Sequence, residues 1–250
     1  MIKLGLIGFP LGHSFSKNYY LAKFEQEHIT GIDYDLYSLP NIDEFADLIR
    51  KDNRFHGFNV TIPYKQSILK FVDNLSPEAE EIGAVNCLTM HPQDDGRITI
   101  KGYNTDAFGF QKSLEPLLTH KHLRALVLGN GGAAKAVCYV LNKLSIPYYL
   151  VSRNRENGDI IYSDLDQQTI ENHQIIINCS PLGTFPNVDE CPDIPYEFIT
   201  ANHLLYDLIY NPEETRFLKK GKEQHAVTKN GYEMLVLQAE KNWEIWKNTF

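Results

Sequence analysis

Apolar positions along the chain fall into two alternating patterns. Short apolar runs bounded by glycine and polar residues predict strands over Lys3–Gly8, Tyr34–Ser38, Phe55–Val60, Val85–Met90 and Ile98–Gly102. Between them, apolar residues spaced at three and four predict helices over Lys17–Glu27, Ile42–Arg50, Lys65–Val72 and Pro77–Glu81. Pro63 ahead of the third helix suits a helix start. Asp94-Asp95-Gly96 between two β-prone runs is a hairpin signal. A second series opens near Asn104. Leu123–Leu128 reads as a buried strand, followed by a helical stretch to Leu144. Tyr148–Val151, Gln174–Asn178 and Leu204–Leu208 read as further parallel strands, and Tyr232–Lys247 as a closing amphipathic helix. Alternation of this kind predicts an α/β fold of two domains, divided near Tyr103–Asn104 without a flexible linker.

Composition narrows the function classes. The 250 residues suffice for one large domain or two modest ones with real cores. A net charge of −8 and no long basic run argue against nucleic-acid or membrane-surface binding. An anionic substrate then needs locally placed cations. No apolar run has the length of a membrane span, and the apolar start reads as a first strand. Cys87, Cys138, Cys179 and Cys191 form no C-x-x-C pair, which fits a reducing cytoplasm. His120-x-His122 has no acidic or cysteine partner nearby and reads as surface.

Gly129-x-Gly131-x-x-Ala134 follows a predicted strand and opens a predicted helix, the context a dinucleotide fingerprint requires. Gly129 would make the tight turn, Gly131 would admit the pyrophosphate, and Ala134 would let helix and strand pack closely. A small-residue turn is the bland alternative. The next strand ends Ser152-Arg153-Asn154, with no acid to hold ribose hydroxyls. Arg153 could grip a 2′-phosphate there, which favours NADP over NAD.

Four polar patches lie in the first half. Ser14-x-Ser16 follows the first strand, and in an extended segment both hydroxyls would face one way and take a carboxylate. Asn59-Val-Thr61-Ile-Pro63-Tyr-Lys65 follows the third strand; Gly83-Ala-Val-Asn86 and Asn104-Thr105-Asp106 come later. Each also has a structural alternative: a serine cap, a solvated lysine, a turn asparagine, a helix-dipole acid.

Together these patches resemble the shikimate dehydrogenases along the whole chain. The similarity is carried by His13-Ser14-x-Ser16, Asn59-Val-Thr61-x-Pro63-x-Lys65, Gly83-Ala-Val-Asn86 and Asn104-Thr105-Asp106. It continues in Gly129-x-Gly-Gly-Ala, Ser152-Arg153, Asp207-Leu-Ile-Tyr210-Asn-Pro212 and Gly231-Tyr-Glu-Met234-Leu-x-x-Gln238. The resemblance implies a substrate domain of residues 1–103 plus 232–250 and a Rossmann-like NADP domain of 104–231, the last helix returning to the first domain. It implies Lys65 and Asp106 as the catalytic pair. Ser14, Ser16 and Tyr210 would hold the substrate carboxylate, and Asn59, Thr61, Asn86 and Gln238 the ring hydroxyls. The cofactor residues would be Gly129, Asn130, Gly131, Gly132, Ala133, Ser152, Arg153, Asn154, Leu208 and Gly231, with Gly183, Thr184 and the Tyr206–Leu208 backbone near the nicotinamide. The implied reaction is NADPH-dependent reduction of 3-dehydroshikimate to shikimate, in aromatic amino-acid biosynthesis, by a cytoplasmic monomer or homodimer that needs no metal.

Some positions depart from the family pattern. Cys87 stands where the similar proteins often carry threonine, and Lys17 where they commonly carry proline. The segment from Arg155 to Asp164 is too short for the usual helix, since about ten residues make fewer than three turns. Rival readings are a quinate/shikimate dehydrogenase using NAD, a folate-type dehydrogenase, and a non-catalytic sensor of shikimate or a nucleotide.

Overall fold

The computed structural model describes residues 1–12, 14–52, 54–93 and 96–249. His13 and the Asp94-Asp95 turn lie outside them. The chain forms two compact units, Met1–Thr105 with Ala239–Phe250, and Asp106–Gln238. The division falls after Thr105 and, at the other end, within the last helix.

In chain order the first unit contains β1 (Ile2–Gly8), α1 (Phe15–Gln26), β2 (Ile32–Ser38), α2 (Glu44–Lys51), β3 (Phe55–Val60), β4 (Asn74–Leu75), α3 (Pro77–Ile82), β5 (Cys87–Pro92) and β6 (Ile98–Tyr103). Among the described residues its sheet runs β2-β1-β3-β5-β6-β4. β1 is parallel to both β2 and β3, whereas β5 is antiparallel to β3 and β6. β1 is buried from Leu4 to Gly8 because both sheet faces are covered, the usual fate of a strand with helices above and below. Leu4 and Leu6 face an aromatic cluster with Tyr20, Tyr34, Trp243 and Trp246. Ile7 faces the opposite cluster, with Phe45, Phe58, Ile68 and Leu88. Gly57 lets Trp246 reach the sheet: an added Cβ would lie 2.3 Å from Nε1, which donates to the Leu88 carbonyl at 2.9 Å.

The second unit contains α4 (Asp106–Leu114), β7 (Ala125–Leu128), α5 (Gly132–Lys143), β8 (Tyr148–Ser152), β9 (Ile160–Ile161), α6 (Gln167–Asn172), β10 (Ile175–Asn178), β11 (Leu204–Asp207), α7 (Arg216–Glu223) and β12 (Val227–Lys229). α8 (Tyr232–Lys247) follows and is shared between the units. The sheet order is β12-β11-β10-β7-β8-β9, with every pair parallel. The expected α/β class and Rossmann-like second sheet are therefore present. The buried run of β7, and that of β10 up to Asn178, are apolar because helices cover both faces.

Three expectations are corrected. The helix predicted over Lys65–Val72 is only a 3-10 segment, Ser67–Phe71. The chain leaves it to pair Asp73 N–H with Ile100 O and to add β4 alongside β6, a tertiary pairing that local periodicity does not encode. Ser16 does not lie in an extended segment but in the first turn of α1, with Ser14 at its N-cap. His122 is buried, not on the surface, with Nδ1 accepting the Thr119 N–H at 3.1 Å. The short segment after Arg155 holds no α-helix, as expected, but two 3-10 turns flanking β9. No helix of the described residues is long and apolar enough to cross a membrane.

Candidate active site

The polar residues of the first unit collect at one end of its sheet because of strand direction. The C-terminal ends of β1 and β3 are parallel neighbours, with Leu6 opposite Asn59 and Ile7 opposite Val60. β5 runs the other way, so its first residue, Cys87, lies opposite Asn59, and Asn86 precedes it. β6 ends at the same place, Tyr103 facing Cys87. Residues just beyond these termini are thereby gathered: Ser14 and Ser16 after β1, Thr61 and Lys65 after β3, Asn86 before β5, and Asn104 and Thr105 after β6.

Hydrogen bonds join most of this set. Ser14 makes no capping bond with its side chain, so the serine-cap alternative does not describe it. The Ser16 side chain hydrogen-bonds the phenol of Tyr34, whose hydroxyl donates to Asn59 Oδ1 at 2.8 Å. Burial, first of all, pushes the Tyr34 phenol well above its ordinary pKa and keeps it a neutral donor. The peptide N–H of Val60 donates to the Asn86 carbonyl at 2.8 Å, and that of Val85 to the Lys65 carbonyl at 2.7 Å. The Lys65 backbone is thus tied beside Asn86. Asn86 is 3% exposed; its Nδ2 donates to Thr105 Oγ1 at 2.9 Å and its Oδ1 accepts the Thr105 N–H at 2.7 Å. Asn104 Nδ2 donates to the Ala84 carbonyl at 2.9 Å. Tyr34, Thr105 and Asn242, whose Oδ1 accepts the Thr105 hydroxyl at 2.6 Å, were not among the residues expected from sequence. Thr105 was visible inside its motif, Asn242 as a polar residue one turn after Gln238, and Tyr34 had no signal.

Asp106 and Gln238 belong to the second unit. Asp106 is the first residue of α4 and is nearly buried. α4 and α8 pack closely at Gly109, where an added Cβ would sit 2.5 Å from the Met234 carbonyl and 3.2 Å from Gln238 Cβ. Tyr210 stands exposed in the loop after β11.

The residues expected to hold the cofactor lie along the C-terminal edge of the second sheet. Gly129 follows β7 with φ +105°, and an added Cβ would lie 3.2 Å from Ser180 N, so the turn requires glycine. Gly131 is the N-cap of α5 and nothing lies within 4 Å of where its Cβ would be. The first amides of α5, Gly132 and Ala133 among them, have no i−4 carbonyl and suit a phosphate. Ala134 is 1% exposed and brings helix and strand together. Asn130 Nδ2 donates to the Asn157 carbonyl at 3.2 Å. Ser152 is buried and its hydroxyl bonds the Asn154 carbonyl, so its side chain shapes the turn that presents Arg153. Arg153 and Asn154 are exposed, and Arg153 makes no ion pair among the described residues. Arg155 is bound to Asp164 at 2.8 Å. Leu208 donates its N–H to the Asn178 carbonyl at 3.0 Å, and Gly231 packs so tightly on it that an added Cβ would lie 2.1 Å from the Leu208 carbonyl. Gly183, with φ +97°, and the exposed Thr184 follow β10 at the same edge. The glycine turn, the open helix terminus and the uncommitted guanidinium fit an NADP-type dinucleotide.

Behind that edge lies a buried carboxylate. Asp207 ends β11, is 0% exposed, and accepts from Asn178 Nδ2 at 3.0 Å, Ile209 N at 3.1 Å and Thr215 Oγ1 at 2.6 Å. Asn178 Oδ1 in turn accepts the N–H and hydroxyl of Ser180, at 3.0 and 2.6 Å. One carboxylate therefore braces the loops after β10 and β11. Burial outweighs its hydrogen bonds and pushes its pKa up to about 6.

A parallel dinucleotide-type sheet with a glycine turn and a phosphate-ready arginine, joined to a unit bearing a hydrogen-bonded polar cluster, defines a pyridine-nucleotide-dependent oxidoreductase. Residues 6–88 match the family described as the shikimate dehydrogenase substrate binding domain. The chain is 40% identical to the NADP(+) shikimate dehydrogenase of Clostridium beijerinckii, over 97% of its own length and 91% of that protein. Its fold is similar to the crystal structure of a chorismate mutase/shikimate 5-dehydrogenase fusion protein from Clostridium acetobutylicum, with TM-score 0.83, 38% identity, and coverage of 100% of this chain and 91% of that one. It is similar also to the shikimate 5-dehydrogenase of Thermus thermophilus in complex with NADP(H) and shikimate, with TM-score 0.85, 27% identity, and coverage of 99% and 94%. The chain belongs to the shikimate dehydrogenase family.

Proposed function

We propose that this chain catalyses the reversible, NADP-dependent interconversion of 3-dehydroshikimate and shikimate, as a cytoplasmic step of aromatic biosynthesis. The observation that carries the reading is the polar cluster at one end of the first sheet, where Tyr34 joins Ser16 to Asn59 and Asn59 Nδ2 donates to the Asn86 carbonyl at 3.4 Å, instead of these residues lying scattered on a surface. A polyhydroxylated ring acid presents the acceptors and donors such a cluster matches. Ser14 and Ser16, with Tyr210, take the carboxylate, each hydrogen bond to it worth about 1.5–3 kcal/mol. Asn59, Thr61, Asn86 and Gln238 take the ring hydroxyls.

NADPH, when bound, supplies the hydride. Gly129 to Ala133 and the start of α5 hold its pyrophosphate, Arg153 and Asn154 its 2′-phosphate, and the backbone of Leu208 and Gly231 its nicotinamide side. Lys65 acts on the reacting carbonyl: its ammonium stabilises the negative charge that develops on oxygen and delivers the proton there. Asp106 holds the neighbouring substrate hydroxyl in register. Positioned acid–base groups of this kind contribute about 10²–10⁴-fold in rate.

The test is a nicotinamide absorbance assay with purified protein, shikimate or quinate, and NADP⁺ or NAD⁺. Shikimate with NADP⁺ is expected to give the highest kcat/KM. Absence of shikimate oxidation with either cofactor rejects the reading, and a preference for NAD⁺ rejects the role given to Arg153.

A further inference from the structure

We propose that Asn242 is a positioning residue for the substrate site, locking the amide of Asn86 through the hydroxyl of Thr105. The inference rests on the reading that Asn86 binds a ring hydroxyl. Asn242 lies on α8 and is 0% exposed. Its helical neighbours Ala239, Trp243 and Trp246 belong to the cluster of Leu4, Tyr20, Tyr34 and Cys87. A primary amide in such surroundings is costly unless its hydrogen bonds are made, and a leucine would pack there without that cost. Both ends of this amide are used. Its Oδ1 accepts the Thr105 hydroxyl at 2.6 Å. Its side chain also hydrogen-bonds the Tyr20 phenol, whose hydroxyl donates to the Ala239 carbonyl at 2.9 Å. Tyr20 thereby anchors the amide in one orientation, with the oxygen toward Thr105.

The consequence falls on Asn86. Thr105 has one hydroxyl proton and two acceptors within reach, Asn242 Oδ1 at 2.6 Å and Asn86 Oδ1 at 3.2 Å. The nearer acceptor takes the proton. A hydroxyl lone pair is then left for Asn86 Nδ2, at 2.9 Å, while Asn86 Oδ1 receives the Thr105 N–H at 2.7 Å. An Asn86 amide turned over would set its NH2 against that N–H and its oxygen against the lone pair, so one orientation alone is satisfied. Without Asn242 the Thr105 proton can swing to Asn86 Oδ1, the lone pair is no longer held toward Nδ2, and the Thr105 N–H alone opposes the turned-over amide. The C-terminal part of α8, within the first unit, thus acts on Asn86 through Thr105.

The test is steady-state kinetics of the full chain with shikimate and NADP⁺, for the parent, Asn242→Ala, Thr105→Val and the double variant, with melting curves for each. Asn242→Ala is expected to raise KM for shikimate about fivefold, the scale of one net hydrogen bond, and to leave KM for NADP⁺ unchanged. Thr105→Val is expected to do the same, and the double variant to be no worse than Thr105→Val alone, because both act through one chain of bonds. An unchanged KM for shikimate, equal rises for both substrates, or additive losses in the double variant overturn the proposal. If Asn242→Ala does not fold, Asn242→Leu decides with the same expected rise in KM for shikimate, since it removes the bond to Thr105 and fills the space among Ala239, Trp243 and Trp246. A parent that does not oxidise shikimate overturns the proposed function and this inference with it; an active parent with indifferent variants overturns this inference alone.

Discussion

Asp207 makes the fold of the second unit sensitive to pH in the direction opposite to most carboxylates. An ordinary aspartate titrates near 3.8, and burial pushes Asp207 up to about 6. No charged group is among the causes of that shift; the neighbouring Cys179 and Tyr196 are themselves pushed up, first by burial and also by Asp207, and stay neutral. Charges on the packed elements are occupied elsewhere: Arg216 of α7 bonds the Asp189 carbonyl, Lys222 of α7 pairs with Glu214, and Lys229 of β12 with Glu233. A raised carboxyl pKa means that the folded state holds its proton longer than the unfolded chain. The associated stability is complete below the unfolded value near 3.8 and is lost as pH rises through about 6. The gap of about two units corresponds to roughly 3 kcal/mol. Asp207→Asn removes the titration while keeping an oxygen for Asn178 and Ile209; its amide can donate to Thr215 as the protonated acid would. The assay is urea unfolding by circular dichroism, parent against Asp207→Asn, between about pH 4 and pH 7.5. The stability of the variant minus that of the parent should rise by roughly 3 kcal/mol across that range. A difference that does not change with pH refutes the reasoning.

Other outcomes follow from the site. Lys65→Ala should lower kcat about 10²–10⁴-fold while shikimate binding by calorimetry changes far less, because the ammonium serves charge that appears during the reaction; near-normal turnover removes Lys65 from the mechanism. Arg153→Ala should raise KM for NADP⁺ about tenfold or more, as expected for a charge-assisted bond, and leave NAD⁺ alone; equal losses with both cofactors would assign Arg153 to the fold. Gly231→Ala places a Cβ 2.1 Å from the Leu208 carbonyl. It should cost about 1–3 kcal/mol in stability and raise KM for NADP⁺, read from melting curves and kinetics; a variant as stable as the parent would mean that the loop moves freely.

Much of the frame was legible because strands buried on both faces are written as apolar runs. β3 and α8 begin and end where the periodicity placed them, and the glycine turn was recognisable from its place between a strand and a helix. The legible part fails where an element is defined by its partner. β4 and β9 are two residues each and exist only through pairing with β6 and β8. The 3-10 turn after Lys65 replaces a helix for the same reason. Ser152 was expected among the cofactor residues, yet its hydroxyl serves its own turn, and that could be seen only with the backbone in place.

The sequence by itself determined the α/β class, the family, the dinucleotide turn and the residue types of the candidate site, since these depend on spacing along the chain and on side-chain chemistry. The tertiary structure alone decided how those residues are held. Tyr34 stands between Ser16 and Asn59, Asn242 is 137 residues from the Thr105 it orients, and Asp207 joins two loops through Asn178 and Thr215. A hydrogen bond depends on distances of a few ångströms and on which acceptor is nearer, and strand order, not sequence separation, sets both.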